Sequence, residues 1–143
     1  MNRRRWFALG AASCSPFVWG TVFAQTAVEE RISLDDARRL HQAGSAVLID
    51  IREPEEHATG VAAGARLLPM SQLNQPNLRI REIPTDSKTP VLLICRTQNR
   101  SSATLRALRK QLGEQNYAHV RFVHGGMSEW AQRGWPMVPP AKP

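Results

Sequence analysis

Four consecutive apolar residues, Val91 to Ile94, stand between Pro90 and a polar loop. This segment constrains the fold most strongly, because a short apolar run with such borders is typical of a strand buried on both faces. The loop, residues 95–100, begins with Cys95 and then holds two arginines and no apolar residue. A helix is predicted directly after it, so Cys95 lies between a central strand and a helix.

Leucines recur at helical spacing after the loop. We expect an apolar helix face of Leu105, Leu108 and Leu112, with Arg106, Arg109 and Lys110 turned outward. Two serines begin this helix and a glycine at 113 ends it.

The position of Cys95 predicts a reactive thiol. Ligands of open α/β sheets bind where the carboxyl end of a strand meets a helix. Loop N–H groups, the helix N-terminus and two nearby arginines would surround the sulfur with positive potential and favour the thiolate. An inert buried cysteine is the alternative, since free cysteine is among the most buried residue types. A loop that carries two cations is an unsuitable wall for such a thiol.

The first 24 residues resemble an export signal. Three arginines at positions 3–5 precede a mostly apolar stretch that ends at Ala24 in a small-residue cleavage site. Residues 4–7 also resemble a twin-arginine signal, and residues 11–14 faintly resemble a lipoprotein processing site. Two serines and Pro16 interrupt the apolar stretch, so we expect cleavage, no stable membrane insertion afterwards, and a location in the bacterial periplasm.

Cleavage would leave one cysteine. Cys14 departs with the signal, whereas Cys95 stays and has no partner for an internal disulfide. Exported proteins normally use cysteines in pairs, which favours a functional thiol at position 95. The remaining 119 of 143 residues suit one domain with one core.

The net charge falls from +7 to +4 on removal of the three signal arginines, which leaves 16 basic against 12 acidic residues. This balance favours small anionic ligands. It does not indicate nucleic-acid binding, because the basic residues are dispersed and no aromatic stacking platform accompanies them. The four histidines have no metal-ligand spacing, so no metal site is expected.

Strands and helices alternate along the rest of the chain. Helices are predicted over residues 33–43, 53–59 and 127–133, strands over 46–51, 65–68 and 120–123, and short helical pieces and turns over 69–87. Residues 25–30 read as a linker and 139–143 as a disordered tail. The alternation predicts a single α/β domain over residues 31–138, with a mostly parallel central sheet and helices on both faces.

Three segments together resemble the single-domain rhodanese family of sulfurtransferases. Residues 50–57, Asp-Ile-Arg-Glu-Pro-Glu-Glu-His, with glycines at 60 and 64, look like the family's Asp-x-Arg-Glu-x-x-Glu segment and the turn after it. The second segment is the loop from Cys95 to Ser101. Residues 125–136, from the double glycine through Trp130 to Gly134-Trp135-Pro136, are similar to the C-terminal segment of the family. Many relatives carry glycine where this chain has Gln98.

The resemblance implies a two-step sulfur transfer without a cofactor. The Cys95 thiolate would take the outer sulfur of a small anionic donor such as thiosulfate and hold it as a persulfide. A thiol, cyanide or a protein acceptor would then remove that sulfur. This is covalent catalysis, in which one nucleophile divides a transfer into two steps.

Further roles follow from the resemblance and the loop chemistry. Backbone amides of residues 96–100 would cradle the donor. The expected substrate-binding residues are Arg96, Thr97, Gln98, Asn99 and Arg100, although Arg100 could instead pair with Asp50 or Glu56. The expected supporting residues are Asp50, Arg52 and Glu56, with Arg52 paired to Glu53 or Glu56.

Two other functions have to be weighed. Cysteine phosphatases and arsenate reductases also have a loop that runs from cysteine to arginine, but they typically place five residues between the two, whereas this chain has four. A shorter loop suits a single sulfur atom better than a tetrahedral oxyanion. A non-catalytic or sulfur-carrier module acting through a protein partner is the other alternative, although such modules commonly lack the cysteine.

Overall fold

The computed structural model describes residues 29–73, 82–83 and 88–141. The predicted export signal and most of the predicted linker therefore lie outside the described residues, as do residues 142 and 143 of the predicted tail. No helix of the described ranges is long and apolar enough to cross a membrane.

Five parallel strands form one sheet in the order β1-β5-β4-β2-β3, which confirms the predicted α/β fold. The strands are β1 Arg31–Ile32, β2 Val47–Asp50, β3 Arg66–Leu67, β4 Val91–Ile94 and β5 Val120–Val123. The helices are α1 Leu34–Gln42, α2 Pro54–His57, α3 Met70–Leu73, α4 Asn99–Leu112 and α5 Gly126–Gln132, with a 3₁₀ helix at Glu114–Tyr117.

Strand β4 is buried on both faces, as its apolar run predicts. Val91 and Leu93 pack in one core cluster with Leu105 and Leu108 of α4. The alternate residues of the strand pack in a second cluster with residues of α1 and α5. Side chains of a strand point alternately to the two faces, so only a fully apolar run satisfies both clusters.

The parallel arrangement brings the loops after β2, β4 and β5 to one edge of the sheet. The residues that follow these strands are Ile51, Cys95 and His124. The segments that resemble a sulfurtransferase, far apart in sequence, therefore meet at a single edge.

Aromatic packing anchors the chain after α5. The rings of Trp130 and Trp135 meet edge to face, with centroids 5.0 Å apart. The guanidinium carbons of Arg38 and Arg133 lie 4.4 Å and 4.9 Å from the Trp135 ring centroid. The indole N–H of Trp130 donates to the Pro136 carbonyl over 3.1 Å. This C-terminal segment is thus held to both α1 and α5.

The prediction that the Arg109 side chain turns outward is wrong. Arg109 is only 7% exposed, donates to a Glu30 carboxylate oxygen over 2.8 Å, and reaches the Val120 carbonyl over 3.1 Å. It follows Leu105 by four residues and so shares the buried face of α4, where Glu30 offsets its charge. Leu112, expected on that face, is the last residue of α4 and is 42% exposed.

Candidate active site

Cys95 follows β4 directly and is completely buried. Its Sγ lies 3.5 Å from the Ser101 hydroxyl, which in turn donates to the Gln98 carbonyl over 3.1 Å. Ser101 belongs to the first turn of α4 and is itself fully buried. The sulfur is therefore enclosed between the end of a central strand and the beginning of a helix.

The start of α5 holds the loop by its carbonyl groups. The Met127 N–H donates to the Cys95 carbonyl and the Ser128 N–H to the Arg96 carbonyl, both over 2.8 Å. The carbonyl oxygen and the next N–H of a trans peptide point in opposite directions. Holding these two carbonyls therefore turns the N–H groups of residues 96 and 97 away from α5.

The loop presents a series of free backbone donors. Within the described ranges, no protein group accepts a hydrogen bond from the N–H groups of residues 96–101. The first loop-to-helix bond is the one from the Ser102 N–H to the Gln98 carbonyl, at 2.9 Å. Consecutive N–H groups next to a helix N-terminus attract negative charge. The loop is thus suited to an anionic sulfur.

Gly126 makes the close approach of α5 to the loop possible. A Cβ atom at this position would lie 2.3 Å from the Thr97 carbonyl oxygen, 2.5 Å from that of Cys95 and 2.6 Å from that of Arg96. Its φ of +60° is also in the left-handed region that favours glycine. Any side chain here would push α5 away from the loop.

The backbone at Gln98 does not require glycine. Its φ of −159° lies outside the left-handed region that favours glycine, and its side-chain oxygen accepts the Gly125 N–H over 3.0 Å. This bond is a further tie between the loop and the turn before α5. Sequence patterns predicted Gln98 as a substrate ligand, whereas its side-chain oxygen is used to hold the loop.

Arg100 is paired with Glu56. Two guanidinium nitrogens of Arg100 donate to the two carboxylate oxygens of Glu56, each over 2.6 Å. Glu56 also accepts the Glu53 N–H over 3.0 Å, which completes the cap of α2. The Arg100 hydrogen bonds outweigh partial burial and lower the pKa of Glu56 to about 2. Arg100 was expected either to bind substrate or to pair with an acid, and the structure shows the pairing with an acid.

Replacing Glu56 by glutamine is expected to destabilise the protein by about 1–2 kcal/mol at pH 7. The folded pKa of about 2 lies below the ordinary value of 4.5, so ionised Glu56 stabilises the fold. That stabilisation is complete above about pH 4.5 and is lost as the pH falls towards 2. Urea unfolding of both proteins at pH 7, 3.5 and 2.5 should show the gap narrowing. Glu55→Gln, an exposed change on the same helix, is the control, and a gap independent of pH would contradict the assignment.

Asp50 and Arg52 form a buried ion pair. An Arg52 terminal nitrogen donates to Asp50 over 2.7 Å, and the same side chain reaches the Glu56 carbonyl over 3.2 Å and the Gly60 carbonyl over 2.8 Å. The expectation that Arg52 pairs with the Glu53 or Glu56 carboxylate is wrong. Asp50 lies two residues earlier at the end of β2, where its carboxylate is buried beside the guanidinium.

His57 completes this network. Its Nε2 lies 3.5 Å from an Asp50 carboxylate oxygen and has no hydrogen-bond partner in the described part of the chain. Burial alone would raise the pKa of Asp50, but His57 and Arg52 together keep it below its ordinary value. The network ties the end of β2 to α2, which carries Glu56.

Arg96 lies at the mouth of the site. It is exposed and forms no ion pair with any described residue. It lines an open depression of about 670 Å³. The remaining lining residues are Glu56, Thr97, Asn99, Arg100, Ser128 and Gln132. The predicted loop residues, with the exception of Gln98, thus border one polar depression, and Arg96 supplies a positive charge that no described acid pairs with.

Sequence reasoning missed several residues of this site. It placed Gly126 only in the double glycine of the C-terminal segment and gave Ser101, Met127 and Ser128 no part in the site, because their contacts depend on how β4 and β5 align. The sequence signal that could have indicated these residues is their position in the segments that follow two neighbouring strands.

In the described part of the chain, no group of three His, Cys, Asp or Glu residues is arranged to hold a metal ion.

Comparison with known proteins agrees with this geometry. The rhodanese-like domain family model matches residues 33–133. A sulfurtransferase from Allochromatium vinosum is 35% identical over 104 residues, which cover 73% of this chain and 89% of that protein. The crystal structure of a rhodanese-related protein from Thermoplasma volcanium superposes with a TM-score of 0.62 at 27% identity, covering 78% of this chain and 99% of that one.

A human single-domain sulfurtransferase has the same fold, with a TM-score of 0.56 at 24% identity over 73% of this chain and 96% of that one. The family match and the bacterial relative support sulfur transfer as the general class of activity. Because that model covers residues 33–133, the chain belongs to the rhodanese-like domain family.

Proposed function

We propose that the protein transfers a sulfane sulfur from a small anionic donor such as thiosulfate to a thiophilic acceptor, with Cys95 as the nucleophile. The observation that carries this proposal is the series of N–H groups at residues 96–101, unpaired within the described residues, beside the buried sulfur. Such preorganised donors stabilise an anionic sulfur and the negative charge of the donor together.

In the first step the Cys95 thiolate attacks the outer sulfur of thiosulfate. A new S–S bond forms to Cys95, the S–S bond of thiosulfate breaks, and sulfite leaves with the electron pair of that bond. The enzyme then carries a persulfide anion, and the total charge is unchanged. Arg96 attracts the donor dianion, and the loop N–H groups hold the sulfur that remains.

In the second step the nucleophilic sulfur of a thiolate, or the carbon of cyanide, attacks the outer persulfide sulfur. The bond between that sulfur and Cys95 breaks, and the cysteine thiolate is regenerated. Cys95 has no exposed surface in the closed loop, whereas Arg96, Thr97 and Asn99 are exposed. Loop 95–100 must therefore open slightly before each attack.

The arginine of the loop argues against phosphate-ester hydrolysis. A cysteine phosphatase needs its loop arginine to hold the phosphoryl oxygens, but both terminal nitrogens of Arg100 are bonded to Glu56. The loop also has only four residues between Cys95 and Arg100. A non-catalytic module is the less supported alternative, since the chain retains both the cysteine and the backbone N–H groups that surround it.

Reduced protein is expected to form thiocyanate from thiosulfate and cyanide, and Cys95→Ser should lower the rate by more than about 1000-fold. The physical reason is that an alcohol cannot form the persulfide. Folding of the variant is checked by circular dichroism. Activity that persists in the variant would contradict the mechanism, as would hydrolysis of a phosphate ester that depends on Cys95.

The proposal extends to location and partners. Export to the bacterial periplasm rests on residues 1–24 alone and belongs to the proposal. The acceptor is a thiol, either of a small molecule or of a protein cysteine. No cofactor has a part in the proposed steps, because the persulfide on Cys95 carries the sulfur.

A further inference from the structure

A second depression adjoins the polar one. It has a volume of about 320 Å³ and shares Glu56, Arg96 and Ser128 with the first. Its other lining residues are Arg52, Thr59, Met127, Ala131 and Met137. Four of these, Thr59, Met127, Ala131 and Met137, form a largely apolar wall that we call the Met137 lobe. The lobe begins close to the nucleophile, since the Met127 N–H donates to the Cys95 carbonyl.

Met137 is held in place rather than loosely exposed. The next residue, Val138, exchanges two hydrogen bonds of 2.9 Å with Val61. The Met137 Cβ atom lies only 3.1 Å from the position that a Cβ on Gly60 would occupy. Met137 nevertheless leaves 38% of its surface exposed, and the large exposed apolar residues of the described ranges are Leu112, Met137 and Val138. Methionine is over-represented at surfaces that bind varied partners, so an exposed Met137 beside the loop suits a binding role.

The donor does not account for this lobe. Thiosulfate has no apolar atoms, and cyanide has only two atoms and little apolar surface. Both would use Arg96 and the loop N–H groups and leave Met137 uncovered. In a two-step transfer, sulfite leaves before the acceptor binds, so donor and acceptor can share Arg96. The apolar surface beside Arg96 is therefore better explained as a place where the acceptor binds.

We propose that the Met137 lobe is the binding subsite for a low-molecular-mass organic thiol that carries a carboxylate. The hydrocarbon part of this acceptor lies against Met137 and Ala131, and its carboxylate is attracted by Arg96, which has no ion pair among the described residues. The volume suits one small molecule. The inference deepens the proposed sulfur transfer and rests on it. The acceptor thiolate takes the outer persulfide sulfur, and a thiolate remains on Cys95.

The test uses protein already loaded with persulfide, so that only the second step is measured. Sulfur release in a single turnover is compared for 6-mercaptohexanoate, neutral 6-mercaptohexanol and cyanide at equal thiolate or cyanide concentration. The carboxylate thiol should react at least about fivefold faster than the alcohol at low ionic strength, and the advantage should shrink in high salt.

Met137→Gln should lower the rate with 6-mercaptohexanoate, relative to the cyanide rate of the same variant, by about fivefold. Met137→Leu, which keeps the apolar surface, should retain most of that ratio. Leu112→Gln is the matched control, because Leu112 is a similarly exposed apolar residue outside the lobe, and it should leave the ratio unchanged.

Equal rates for the two mercaptans, or a ratio unaffected by Met137→Gln, would overturn the subsite. Faster release to a protein thiol with no preference between the mercaptans would overturn it too. If the protein accepts sulfur and passes it to cyanide but fails these comparisons, the subsite is wrong and the proposed function still holds. Failure to load any persulfide would overturn the proposed function and, with it, this inference.

Discussion

Replacing Gly126 by alanine is expected to lower kcat/KM for thiocyanate formation by at least about 100-fold. The new methyl group would lie 2.3–2.6 Å from three loop carbonyl oxygens, too close for any of them to stay in place. Moving α5 away breaks the bonds from Met127 and Ser128 that turn the N–H groups of residues 96 and 97 away from α5. Steady-state kinetics with thiosulfate and cyanide would measure the effect.

Gly44→Ala separates this effect from backbone strain. Gly44 has a φ of +68°, close to the +60° of Gly126, but no atom lies within 4 Å of where its Cβ would be. Both variants pay a similar conformational cost of about 1 kcal/mol, and only Gly126→Ala displaces the loop. If the two variants lost activity equally, or if Gly126→Ala stayed fully active, the role given to α5 would be wrong.

Replacing Asp50 by asparagine is expected to reduce the free energy of unfolding by about 3–5 kcal/mol. The change leaves the Arg52 guanidinium buried without its carboxylate, and Arg52 is only 5% exposed. Arg52 also bonds the Glu56 and Gly60 carbonyls, so the position of α2 depends on it. Urea unfolding followed by circular dichroism measures the loss.

Asp36→Asn provides the comparison for Asp50→Asn. Asp36 also pairs with an arginine, Arg39, but both side chains are more than half exposed. Solvent screens such pairs, so this variant should change stability far less. A similar loss in the two variants, or a fully stable Asp50→Asn protein, would refute the view that burial makes the Asp50–Arg52 pair essential.

The sequence predicted those parts of the fold that depend on local pattern. A strand of four consecutive apolar residues is favoured where both faces of the sheet are covered, and Val91 to Ile94 is such a strand. The position of Cys95 at its carboxyl end follows from the order of residues alone. The parallel sheet follows from the alternation of strands and helices.

Pairings between distant residues could not be predicted in this way. Arg109 lies on the buried face of α4 because Glu30, 79 positions away, reaches it. Charge alone suggested the surface, and nothing local identifies the partner. Four acidic residues lie within four positions of Arg52, and only the one at the end of β2 is buried beside it. The role of Gly126 likewise depends on the close approach of α5 to loop 95–100, which the local sequence does not show.

The tie between loop 95–100 and the C-terminal segment has a consequence for the order in which the chain is made. Cys95 and its loop emerge from the ribosome some thirty residues before Met127 and Ser128, which hold their carbonyl groups. The Trp135 stacking that anchors this segment forms later still. The surroundings of Cys95 are therefore complete only after the residues of α5 and Trp135 have been made. A growing chain that has not yet reached them carries the thiol without the contacts that hold its loop.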